Sequence, residues 1–171
     1  MDIGEFNSHA SVRFNHLFYD GVDTVELASH YGTPLYVVSE SAVRERCSSV
    51  RKAFLEKYPN TRAVYAPKAF QTLDMCRIID QEGLGIDVVS GGELYAALKA
   101  QVNPGAIVFH GNAKTLDELE YAIENDVGRI ISDNLREISE VERIAARLGK
   151  KVKLLYRITP GVDSHTHRFI S

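Results

Sequence analysis

The chain has 171 residues, 44% hydrophobic and 25% charged, the balance of an ordinary soluble globular protein. Twenty Lys and Arg against 23 Asp and Glu leave a formal net charge of −3, and without a basic face no nucleic-acid partner is expected. No apolar run approaches the roughly 18–20 residues that span a bilayer, so no membrane segment is expected. The opening "MDIGEFNSHA" has no apolar stretch of a secretory signal. Together with only two cysteines, Cys47 and Cys76, both in segments of helical spacing, this predicts a cytoplasmic protein with free, packed thiols.

Residues 14–32, "FNHLFYDGVDTVELASHYG", read as a short strand, a Gly-Val-Asp turn and a small helix that stand apart from the rest of the chain. From residue 34 apolar runs of strand length recur at 34–39, 62–69, 85–90, 106–112, 129–133 and 151–159. Each of the first five is followed by a stretch of helical spacing. In 41–58, Val43, Cys47, Val50, Phe54 and Tyr58 fall at steps of three and four; in 134–148, Leu135, Ile138, Val141, Ile144 and Leu148 do the same, with Gly149 as the stop. "SGGE" (90–93), "TLDE" (115–118) and "NLRE" (134–137) each place a capping side chain three residues before a glutamate. Strands that are apolar throughout predict a parallel sheet covered on both faces. The class is α/β, and the pattern fits either a doubly wound sheet or a (β/α)8 barrel present in part, with about six strands.

In such folds chemistry gathers where strands finish. The strand ends carry Lys68, Asp87, His110 with Asn112, Asp133 and Arg157. The competing readings are a snorkelling lysine, a capping or pairing Asp87, a hydrogen-bonded core histidine and an Asp133 helix cap. Arg157 is harder to set aside, because a guanidinium keeps its charge and needs a partner. "HTH" (165–167) lacks a third ligand of suitable spacing, so no metal is expected. "GLG" (83–85) reads as a helix stop before a strand, and no GxGxxG follows a strand.

The blocks "YAPKAF", "EGLGIDVVSGGELYAALKA", "IVFHGNAKT", "RIISD" and "LLYRITPGVDSHTHRFIS", in this order, resemble the diaminopimelate decarboxylase family of pyridoxal-phosphate enzymes. The opening "LFYDGVDTVELASHYGTPLYVVSE" is similar to that family's start, so the resemblance runs from about residue 16 to the end. It implies a (β/α)8 barrel of the alanine racemase-like kind, with an N-terminal strand belonging to a second β-domain. Residues 1–33 would form that arm, strand and small helix, and 34–171 a truncated pyridoxal 5'-phosphate-binding barrel.

By the same resemblance Lys68 is the Schiff-base lysine, in a partly desolvated site that lowers its pKa, and Asp87 is an acidic residue beside the cofactor. Arg157 stands at the barrel mouth, and His110 and Asn112 line it. Pro67 replaces a small or branched residue and is expected to remove one ladder bond before the lysine. The implied activity is decarboxylation of meso-diaminopimelate to lysine, in a full-length homodimer. Groups the family carries later in its sequence have no counterpart before Ser171, so the chain alone is expected to be an inactive N-terminal part. The other readings are a sister decarboxylase for ornithine, arginine or carboxynorspermidine, a non-catalytic pyridoxal-phosphate homeostasis protein, and an inert remnant.

Overall fold

A computed structural model describes residues 8–158, 160 and 161. The chain forms two compact units, Met1–Thr61 and Arg62–Ser171.

In the first unit β1 (Ala10–Arg13), β2 (His16–Tyr19) and β3 (Val22–Asp23) make an antiparallel sheet in sequential order. Asp23 then caps α1 (Thr24–Tyr31), its carboxylate accepting from the Val25 amide at 2.8 Å. Residues 14–32, expected as a short strand, a turn and a small helix, hold β2, β3 and α1: the Val22 and Asp23 of the expected turn are themselves a short strand. Segment 34–39 forms no strand: it is irregular, and Tyr36 is 96% exposed. β-branched residues favour extended backbone, but a strand also needs a ladder partner, and this segment has none among the described residues. Helix α2 (Glu40–Val50) continues as a π-helical turn, Arg51–Leu55. Of the face predicted over 41–58 only Cys47 is buried; Val50, Phe54 and Tyr58 are exposed.

The second unit is a five-stranded parallel sheet in the order β4 (Val64–Tyr65), β5 (Gly85–Val88), β6 (Ile107–Phe109), β7 (Arg129–Ser132) and β8 (Leu154–Tyr156). Between the strands lie α3 (Leu73–Gln81), α4 (Gly91–Lys99), α5 (Leu116–Glu124) and α6 (Leu135–Leu148), and each helix packs against the next. The register places Ile86 beside Ile107, Val88 beside Phe109, and Phe109 beside Ile130. These five strand residues are all buried, and with Ile79, Leu94, Leu119 and Ile144 they form the core. Their neighbours one residue along, Asp87, Val108 and Ile131, face the other way because side chains alternate along a strand.

The helices therefore cover one face only, which corrects the expectation of a sheet covered on both. A doubly wound sheet carries helices on both faces and a switch in strand order; this one has neither. It is a (β/α) barrel present in part, with five strands among the described residues rather than about six. Val64 on the first strand and Leu155, Tyr156 and Ile158 at the last are exposed.

Candidate functional site

The strands are shorter than the apolar runs that announced them, and the surplus residues form loops on the C-terminal rim. β4 ends at Tyr65, after which Pro67–Ala69 makes a 3-10 turn holding Lys68. Pro67 is buried at the first position of this turn, where an amide would have no partner in any case, so no ladder bond is lost. Lys68 is exposed and has no hydrogen-bond or ion-pair partner among the described residues. The partial desolvation expected for it is not supplied by the described residues. Tyr65 donates its hydroxyl to the Phe70 carbonyl at 2.9 Å, closing the loop that carries the lysine.

Asp87 lies within β5, directed to the face opposite the core. Its side chain is 22% exposed, yet Oδ1 is buried and has no hydrogen-bond partner among the described residues. Its Oδ2 stands 3.6 Å from His110 Nδ1, a charge contact too long for a hydrogen bond. His110 follows β6, and its amide donates to the Val88 carbonyl at 2.8 Å. Asn112 is exposed on the same loop. Arg157, just past β8, donates its amide to Ser132 and approaches Asp133 Oδ1 with Nη1 at 3.4 Å. Asp133 is thus a partner of Arg157; the cap of α6 is Asn134, which accepts from the Glu137 amide at 2.9 Å.

Along the rim the order is Lys68, the Asp87–His110 pair, then the Asp133–Arg157 pair. The "HTH" motif at 165–167 lies outside the described residues. Among the described residues no cluster of three His, Cys, Asp or Glu is placed to hold a metal. A cleft of about 440 Å³ at the opposite ends of the strands, beside Arg62, Arg129 and Lys153, lies away from this rim. Both cysteines are buried, and burial pushes the Cys76 thiol up, away from nucleophilic use.

Of the three expected capping boxes the one at Thr115–Glu118 is complete; Ser90 and Asn134 cap their helices, but Glu93 and Glu137 turn to other partners. Glu93 accepts from the Val89 amide at 2.8 Å. Glu118 completes a capping box with Thr115 and also accepts, at 2.7 Å, from the amide of Gly91, the first residue of α4. A Cβ on Gly91 would lie 2.9 Å from Glu118 Cγ, so only glycine admits this approach. Burial opposes the charge of Glu118, but the Thr115 and Gly91 amides, the Thr115 hydroxyl and the nearby Lys114 outweigh it and hold the carboxyl below its usual range. Glu137 turns to Lys114, 2.8 Å away, in a pair whose side chains are 5% and 1% exposed. The sequence disguised this pair: Glu137 had a sufficient explanation as a cap, and nothing in spacing separates Lys114 from a solvated loop lysine.

The donor set fits a pyridoxal-type group. An exposed amine for an aldehyde, a carboxylate with one buried unpartnered oxygen for a cationic centre, and a guanidinium for an anion share one rim.

Residues 40–171 match the family model for the pyridoxal-dependent decarboxylase, pyridoxal-binding domain. The chain is 44% identical over 165 residues to the diaminopimelate decarboxylase of Bacillus methanolicus, covering 95% of this chain and 38% of that one. It is 43% identical over 166 residues to the enzyme of Bacillus subtilis strain 168, with the same coverage. Among solved structures, diaminopimelate decarboxylase from M. jannaschii in complex with L-lysine superposes with a TM-score of 0.86 at 36% identity, over 96% of this chain and 39% of that one. The chain thus spans about two fifths of the length of these relatives. The chain carries the family-model match over more than half of its length and therefore belongs to the pyridoxal-dependent decarboxylase family, with its sequence most like those of diaminopimelate decarboxylases among the relatives named.

Proposed function

We propose that this chain supplies the cofactor-attachment rim of an enzyme that decarboxylates meso-diaminopimelate to lysine with pyridoxal 5'-phosphate. The similarity to diaminopimelate decarboxylases, one solved with L-lysine, supports the substrate and product. The observation that carries the site is the Asp87 oxygen, buried without a partner at the strand end next to the one bearing Lys68.

In this reading Lys68 is the attachment point for the cofactor aldehyde, and its freedom from ion pairing leaves the amine available once deprotonated. Asp87 holds a protonated nitrogen against its free oxygen and keeps His110 directed along the rim. Arg157 receives an anionic group, releasing Asp133 as it does so. When bound, the cofactor supplies an electron sink for the pair left on the substrate's α-carbon as carbon dioxide departs. Lys68 would also be placed to move a proton at the reacting carbon. We assign residues 1–33 to the β-domain and 34–171 to the barrel; the family match that starts at residue 40 supports this, while 34–61 pack within the first compact unit. The setting proposed is a cytoplasmic homodimer in lysine biosynthesis.

The test is a binding titration of pyridoxal phosphate followed by absorbance, on the wild-type chain, Lys68→Ala and Asp87→Asn. Loss of the bound-cofactor band in Lys68→Ala and weaker binding in Asp87→Asn are expected. A band that persists in Lys68→Ala overturns the attachment point. Equal affinity in Asp87→Asn overturns the role of the carboxylate.

A further inference from the structure

Three hydrogen-bond acceptors converge on one ammonium beneath the rim. Lys114 Nζ donates to the Gly111 carbonyl at 2.6 Å and to the Ile131 carbonyl at 2.9 Å, and lies 2.8 Å from Glu137 Oε1. The last approach has ion-pair distance without hydrogen-bond alignment. The ammonium also sits 5.6 Å from the centroid of the Phe109 ring. These contacts join the loop after β6, the strand β7 and the first turn of α6.

We propose that Lys114, neutralised by Glu137, is a positioning residue that fixes the direction in which the chain leaves β6 and so sets His110 against Asp87. The lever is short. His110 is anchored through its amide to Val88, and Gly111 follows with φ +94, so close to Val89 that a Cβ would lie 2.8 Å from its carbonyl oxygen. The Gly111 carbonyl then points at Lys114, which fixes the Gly111–Asn112 peptide plane, one residue beyond the histidine. Without a cation, two carbonyl dipoles and a carboxylate would face one another in a dry space, and the loop would turn away.

Stability alone does not account for the pair, because a buried ion pair is often matched or bettered by apolar groups of similar volume. Direction is what an apolar pair would lack. This inference rests on the reading of His110 and Asp87 as part of the rim.

The test compares the wild-type chain with the double variant Lys114→Met/Glu137→Met, which removes both charges and leaves neither orphaned. The readouts are thermal melting and the ¹⁵N resonances of the His110 ring at constant pH. The expected result is a Tm within a few degrees of wild type, with the His110 ring signals moved toward those of a free imidazole. A folded double variant with wild-type His110 signals overturns the proposal. Should the double variant not fold, the wild-type chain still decides: slow exchange of the Lys114 ammonium protons supports the strut, and solvent-rate exchange overturns it. Neither readout needs cofactor, so failure of cofactor binding with a shifted His110 would count against the proposed function and not against the strut.

Discussion

The two units of this chain are held together by different forces. In the second unit Ile86, Val88, Leu94, Ile107, Phe109 and Ala122 are fully enclosed, and the sheet is clamped to its helices by apolar contact. In the first unit Cys47 is the one hydrophobic residue that is buried among those described, while Val12, Phe14, Leu17 and Tyr36 are exposed. Its order comes from polar contacts. Asp20 accepts from Ser41 at 2.7 Å and from Ser39 at 2.9 Å, His9 lies between Asp20 and Glu45, and His16 pairs with Asp23 at 2.7 Å. Apolar enclosure is insensitive to pH and punishes any change of volume, whereas a polar lattice on the surface answers to protons and salt.

Five experiments break or sharpen this contrast. Phe109→Ala empties the centre of the second unit and should cost about 4 kcal/mol in urea unfolding. A cost below about 1 kcal/mol would mean that the sheet and helices are not packed as described. Lys114→Met alone strands the Glu137 carboxylate and should cost about 3 kcal/mol, with stability partly recovered in the double variant. Thr115→Ala removes a cap from α5 and should cost about 1 kcal/mol.

Acid acts on the first unit. Hydrogen bonds from Ser41 and Ser39 to Asp20, and from His16 to Asp23, outweigh partial burial and hold both carboxyls below their ordinary 3.8. A folded pKa below the unfolded one contributes stability above the unfolded value, and that contribution is lost as pH falls through the folded value. Protection factors of the β1 and β2 amides, measured against the intrinsic exchange rate at each pH, should therefore fall below the ordinary carboxylate range before those of the core amides in β5 and β6. Simultaneous loss would show that the two units do not differ in this way. Tyr36→Ser, at a 96% exposed position, should change stability by less than about 0.5 kcal/mol.

How much the sequence revealed tracks the same divide. Second-unit strands were legible because their enclosed residues alternate with half-buried ones that are mostly apolar too, so the runs read as continuous, and α4 to α6 were legible from their caps. Residues 34–39 have the same apolar composition but no ladder, since pairing depends on a distant partner that local composition does not encode. Leu135 was placed on the core face of its helix by spacing, yet it is 81% exposed while Glu137 is enclosed. At that helix start the tie to Lys114 overrides the hydrophobic period. The rim residues were found by position at strand ends, a topological cue. Their pairing into Asp87 with His110 and Asp133 with Arg157 required coordinates.

The central claim is that Lys68 differs from an ordinary surface lysine because of what shares its rim. Limiting pyridoxal phosphate, reduction with borohydride and quantitative peptide mapping compare Lys68 with exposed Lys52 and Lys57 of the first unit within one sample. Labelling of Lys68 at least about tenfold above either is predicted, the ratio that roughly 1.4 kcal/mol of added binding at the rim produces. Equal labelling of all three would contradict the account.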